Sequence, residues 1–162
     1  MPRLLKIVTH PNPILRTKAA DISPAELSEP KFKKFLDDLT LTMYRADGIG
    51  LAAIQVGRPI NVAVVSTENG PFFLINSAIV SLGEKKELNP EGCLSVPGIS
   101  GEVSRAIEIK VKGLALDGKA IEFSARDLFA RVIQHEVDHL NGILFIDRAA
   151  RTWKEDKSKK TK

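Results

Sequence analysis

The chain has 162 residues, 43% of them hydrophobic and 27% charged, with a net charge of +4 and a single cysteine. These values fit one domain around one core, and they exclude a disordered polymer and a disulfide-stapled scaffold. No apolar stretch approaches the ~20 residues that a membrane-spanning helix needs.

The opening residues have neither the apolar run of a secretory signal nor the Arg and Ser content of a transit peptide, so the chain reads as cytoplasmic. After an extended stretch punctuated by Pro11 and Pro13, the residues Phe32, Phe35, Leu36, Leu39, Met43 and Tyr44 fall at helical spacing, which predicts an amphipathic helix over 30–46. Next comes Gly48-Ile49-Gly50-Leu51-Ala52-Ala53-Ile54-Gln55. Such small residues ordinarily mark a tight turn or a close helix contact, but they also let an extended substrate lie against the main chain. Gln55 adds an amide donor for a developing oxyanion. Segments 61–66, 71–81 and 103–116 are rich in Val, Ile and Phe and bounded by Gly, Asn and Pro, as strands are. Between them, Gly and Pro on both sides of Cys93 predict a tight, irregular loop over 89–98. From Ser124, a plausible cap, strong helix formers run to a stop at Asn141-Gly142. The expected fold is α+β, with small, mainly antiparallel sheets packed around this helix.

The chain ends unevenly charged. Residues 148–162 hold seven Lys and Arg against Glu155 and Asp156, whereas the remainder carries 17 basic and 18 acidic residues. A catalytic domain over 1–147 and a basic, flexible tail over 148–162 are expected, the tail serving either as a solvated terminus or as a contact for an acidic partner such as RNA.

The helix carries His135-Glu136-Val137-Asp138-His139. Residues four apart share a helix face, so His135 and His139 can offer two imidazoles to one ion. Glu136 falls beside them, placed to take a proton from a water that the ion activates. The same string also occurs as an exposed polar stripe. Against that, the protein has only three histidines and two of them lie here. Catalytic sites of this kind use three protein ligands and keep a fourth position open. Downstream of the motif the only Glu is Glu155, in the charged tail. The pattern His-Glu-x-x-His-x-x-Gly-x-x-His, matched through Gly142, fails because Phe145 stands at its third histidine. Cys93 is the remaining soft donor, and the missing ligand favours that role over a small buried hydrophobe.

Together, the segment 48–55, Glu91-Gly92-Cys93-Leu94-Ser95 and Gln134-His135-Glu136-Val137-Asp138-His139 resemble the three signature motifs of peptide deformylases, in that family's order. The resemblance runs from His10-Pro11-Asn12-Pro13 to Gly142-Ile143-Leu144-Phe145. It implies removal of the formyl group from the formylmethionine terminus of nascent proteins, with N-formylmethionyl peptides as substrates and formate as product. It also implies Cys93, His135 and His139 as ligands of one divalent metal, Glu136 as general acid/base, and the Gln55 amide and Leu94 N–H as oxyanion donors. The native metal is expected to be Fe(II), with nickel or cobalt supporting activity and zinc a poorer substitute. The ligand chemistry alone suits zinc as well. Ile49, Gly50, Leu128 and Val132 are expected around the substrate, with Arg131 at the rim holding its charge in water and Arg105 near the substrate path. Some family members bind the ribosome through a C-terminal extension, and the basic tail is a candidate for that contact. Neither membrane nor DNA is expected as a partner.

Two rivals remain. A metallopeptidase built on the same helix would cleave internal bonds; the absent third ligand opposes it. A metal-stabilised binding module with an RNA-docking tail would need no base, which Glu136 opposes, and would close its fourth coordination position.

Overall fold

A computed structural model of the chain describes residues 1–156. Its helices are α1 (Pro24–Leu27), α2 (Pro30–Arg45), α3 (Asp127–Leu140) and α4 (Phe145–Arg148). Its strands are β1 (Gly50–Ala52), β2 (Val62–Thr67), β3 (Gly70–Leu82), β4 (Lys86–Cys93), β5 (Val96–Ala106), β6 (Glu108–Leu114), β7 (Ala120–Arg126) and β8 (Arg151–Lys154). They form a five-stranded sheet in the order β1-β2-β3-β6-β7 and a three-stranded sheet in the order β4-β5-β8. All neighbouring strands in both sheets are antiparallel, so the α+β expectation holds.

Side-chain alternation explains why the larger sheet is covered on both sides. In β2, Val62 and Val64 join the cluster of Phe32, Phe35, Leu36, Leu39 and Met43 from α2, whereas Ala63 and Val65 join Ala130, Ile133 and Val137 from α3. A strand buried on both faces reads as an unbroken apolar run instead of an alternating one. The sheet is therefore held between α2 and α3. Leu39 and Met43 are fully buried, and truncating either to Ala would cost about 2–5 kcal/mol.

Four sequence expectations are corrected. Helix α3 begins at Asp127 and not at Ser124, because Ser124 pairs with Lys110 as part of β7. Asp127 itself sits at φ 56, the left-handed turn through which the sheet edge becomes a helix. The expected strand over 103–116 is two strands parted at Ile107, β5 in the smaller sheet and β6 in the larger. The expected loop over 89–98 is the tip of the β4–β5 hairpin, with Cys93 opposite Val96 and Leu94-Ser95 as its turn. Pro90 is tolerated because β4 is an edge strand. Within the expected flexible tail, Arg151–Lys154 forms β8, paired with Ile99–Glu102 of β5. The Arg151 guanidinium also meets Glu102 and stacks over Trp153. The rest of the tail, residues 157–162, lies outside the described residues.

The expected stop at 141–142 is present. Asn141 caps α3, and Gly142 follows at φ 76 with its missing Cβ only 2.6 Å from the Arg16 carbonyl oxygen. No other residue fits there without a shift.

Candidate active site

Helix α3 lies across β1, β2 and β3, and its C-terminal half faces the β4–β5 hairpin tip. Strand alternation sends Glu91 and Cys93 to the same side of β4, toward α3. There the Cys93 Sγ lies 3.2 Å from His139 Nε2, which in turn lies 3.2 Å from His135 Nε2. The three donor atoms all fall within 4.8 Å of one another.

This donor set fits one divalent cation. Two imidazole nitrogens and a sulfur converge lone pair to lone pair, an arrangement that an ion or an extra proton must relieve. Among the described residues, His139 Nδ1 and Glu136 Oε2 are buried side-chain atoms with no hydrogen-bond partner, and buried polar atoms are rarely left so without a functional reason. A thiolate with two imidazoles suits iron, nickel, cobalt or zinc better than magnesium or calcium.

The ring of His135 is fixed from behind. Its Nδ1 lies 2.9 Å from Glu91 Oε1. Glu91 also accepts both fork nitrogens of Arg105 at 2.9 Å and Arg131 Nη1 at 2.6 Å. Arg105 continues to Asp138 at 2.6 Å, and Asp138 accepts two hydrogen bonds from Arg148. Burial pushes the Glu91 carboxyl up, but hydrogen bonds from His135 and Arg105 and their charges outweigh it, so the group is held at about 2. Burial opposes the charge of His135, yet its contacts with Cys93 and Glu91 win and raise it to about 10. Burial and the neighbouring His135 charge drive His139 the other way, well below its ordinary value. Glu136 is raised to about 7, chiefly by burial.

A cavity of about 700 Å³ opens beside these groups. Gln55, Cys93, His135 and Glu136 form its floor, and Ile49, Gly50, Leu94, Leu128 and Val132 form apolar walls. Gly50 is required at this approach, since a Cβ there would stand 2.5 Å from Glu136 Oε1. Ile49 and Leu128 remain exposed on the rim. The Gln55 carboxamide is oriented from both ends: Ala52 N–H donates to its Oε1 at 2.9 Å, and its Nε2 donates to Ser95 Oγ at 3.0 Å and lies 3.6 Å from Cys93 Sγ.

Two arginines are placed differently from the sequence expectation. Arg131 reaches the cavity wall but is buried, its charge spent on Glu91 and the carbonyls of Val103 and Glu87 instead of on water. Arg105 is 4% exposed and does not line the cavity; it stands behind Glu91. Sequence reasoning gave no role to Glu91, Ser95, Asp138 or Arg148. For Glu91 a signal existed, because a ligating imidazole needs an acceptor on its second nitrogen and Glu91 sits two residues before a candidate ligand on a strand.

Residues 4–155 match the model of the Polypeptide deformylase family. A peptide deformylase of Syntrophomonas wolfei is 48% identical over 147 residues, covering 91% of this chain and 94% of that one. The crystal structure of peptide deformylase from Thermotoga maritima superposes with a TM-score of 0.87 at 38% identity, covering 91% of this chain and 99% of that one. The Met-Ala-Ser-bound class I type b peptide deformylase from Acinetobacter baumannii gives a TM-score of 0.87 at 35% identity over the same shares. With its motif residues gathered around one cavity and matches running almost end to end, the chain belongs to the peptide deformylase family.

Proposed function

We infer that this enzyme removes the formyl group from N-formylmethionyl nascent peptides, with Cys93, His135 and His139 holding the cation, Glu136 moving the proton, and Gln55 and Leu94 receiving the oxyanion. The observation that carries the reading is the conjunction of a three-donor cluster with a buried, unpartnered carboxylate oxygen on Glu136 at the floor of one cavity. A divalent cation held there supplies Lewis-acid polarisation of the formyl carbonyl and lowers the pKa of water toward ~7.

The chain's own groups supply the rest. Burial raises Glu136 to about 7, near the working pH, which suits a group that must first accept a proton from water and then return it to the leaving amine. The Gln55 amide is held with its NH2 toward Cys93 and Ser95, and the N–H that rests on Cys93 Sγ is the one we assign to the developing oxyanion. Leu94, at the hairpin tip next to Cys93, lines the same cavity, and we assign its backbone N–H as the second donor. Ile49, Gly50, Leu128 and Val132 offer the apolar wall that a methionine side chain needs, and Met-Ala-Ser occupies the related enzyme of Acinetobacter baumannii.

The family resemblance favours Fe(II) as the native ion, with nickel, cobalt or zinc held by the same donors. No described helix is long and apolar enough to cross a membrane, and we read the enzyme as cytoplasmic. Ribosome contact through the basic terminus would fall to Lys154 and residues 157–162, because Arg148 and Arg151 are paired with Asp138 and Glu102. Product analysis on a short N-formylmethionyl peptide separates deformylation from the peptidase alternative. Formate and an intact free-amine peptide are expected; cleavage at an internal bond would reject the reading.

A further inference from the structure

We propose that Ser95 is a positioning residue for deformylation, its hydroxyl locking the Gln55 carboxamide in the orientation that presents an N–H to the oxyanion. The inference rests on the oxyanion role given to Gln55. It starts from a polar side chain that no other part of the mechanism uses: Ser95 is 0% exposed, directly after the hairpin residue Leu94.

Ser95 is pinned independently of Gln55. Its carbonyl accepts His10 N–H at 2.8 Å, and its own N–H reaches Cys93 Sγ at 3.4 Å. The backbone therefore fixes where the Oγ stands, and that Oγ accepts Gln55 Nε2 at 3.0 Å. On the far side, Ala52 can only donate, so the Gln55 Oε1 must face Ala52 and the NH2 must face Ser95 and Cys93. One hydrogen of that NH2 goes to Ser95 Oγ and the other to Cys93 Sγ, so the N–H given to the oxyanion is the one that rests on the cysteine sulfur. Rotation of the carboxamide would disturb three hydrogen bonds, from Ala52 and to Ser95 and Cys93, at a residue that is itself 1% exposed. Without the Ser95 hydroxyl, a buried N–H loses its acceptor and the carboxamide loses one of its three anchors.

The test is a double-mutant cycle with kcat, KM and cation content measured for each member. Ser95→Ala is expected to lower kcat by about tenfold with KM nearly unchanged, a part of the ~10²–10³-fold that loss of an oxyanion donor costs. In a Gln55→Ala background the same Ser95→Ala change is expected to have no further effect. Zinc-loaded, ¹⁵N-labelled protein provides a readout that packing alone would not move: faster solvent exchange of the Gln55 side-chain NH2 in Ser95→Ala. Ser95→Ala with wild-type kcat, or with its full effect undiminished beside Gln55→Ala, would overturn the proposal. Wild-type kcat in Gln55→Ala alone would instead defeat the oxyanion role on which it rests, and the two failures are thereby told apart.

Discussion

Glu91 Oε1 stands 2.9 Å from His135 Nδ1, so the carboxylate that orients this imidazole comes from the same strand, two residues away, as Cys93, the third donor of the cluster. The hairpin thus delivers one donor of the cluster and the support for another in one element. Loss of the support should be felt as lost affinity. Glu91→Gln is expected to weaken cation binding by about 10–100-fold in chelator competition, and unchanged affinity would remove Glu91 from this role.

The same carboxylate predicts an acid limit. Its value in the fold is about 2 against an ordinary 4.5, a lowered pKa, so its stabilisation is complete above 4.5 and is lost as pH falls toward 2. Thermal unfolding of wild type and Glu91→Gln should differ most near neutrality, and the gap should narrow through that window.

Cation uptake should release protons. Without an ion, His135 is raised to about 10 and holds its second proton at neutral pH, yet ligation through Nε2 requires that proton to leave. Apparent affinity should therefore rise with pH until His135 titrates. Calorimetry at neutral pH in buffers of different ionisation enthalpy should show different heats; identical heats would contradict it.

Glu136→Gln keeps the shape of the side chain and removes its basicity. Cation content should stay at one per chain while turnover falls by about 10²–10⁴-fold, the usual worth of a general acid/base. Gly50→Ala reaches the same group from the opposite wall, because its Cβ would meet Glu136 Oε1 at 2.5 Å. It too should retain the cation and lose activity.

Truncation separates the two parts of the basic terminus. Removing residues 157–162 should leave peptide turnover and melting temperature unchanged, whereas removing 149–162 strips β8 from β5 and should lower the melting temperature by several degrees. Circular dichroism melts and a peptide assay on both forms decide it.

What the sequence made legible follows from the range of the interactions involved. Helix α2 and most of α3 could be read because periodic apolar residues are a local signal, and the three donors that the fold gathers because histidine and cysteine are scarce in this chain. The start of α3 could not, since Ala125, Arg126 and Asp127 are acceptable to helix and strand alike, and pairing of β7 with β6 decides between them. Strand β8 was hidden in the same way: four residues amid basic ones become a strand only because the edge of β5 is there to receive them. The chain from Glu91 through Arg105 and Asp138 to Arg148 joins residues up to 57 positions apart in sequence, and no spacing rule announces such a path.

The most direct measurement is formate release from a short N-formylmethionyl peptide by protein loaded anaerobically with Fe(II) or nickel at a confirmed ratio of one ion per chain. Rapid release, abolished by Glu136→Gln at the same ion content, is the predicted result. No formate from a folded, fully loaded sample would contradict the assignment of Cys93, His135, His139 and Glu136 to deformylation.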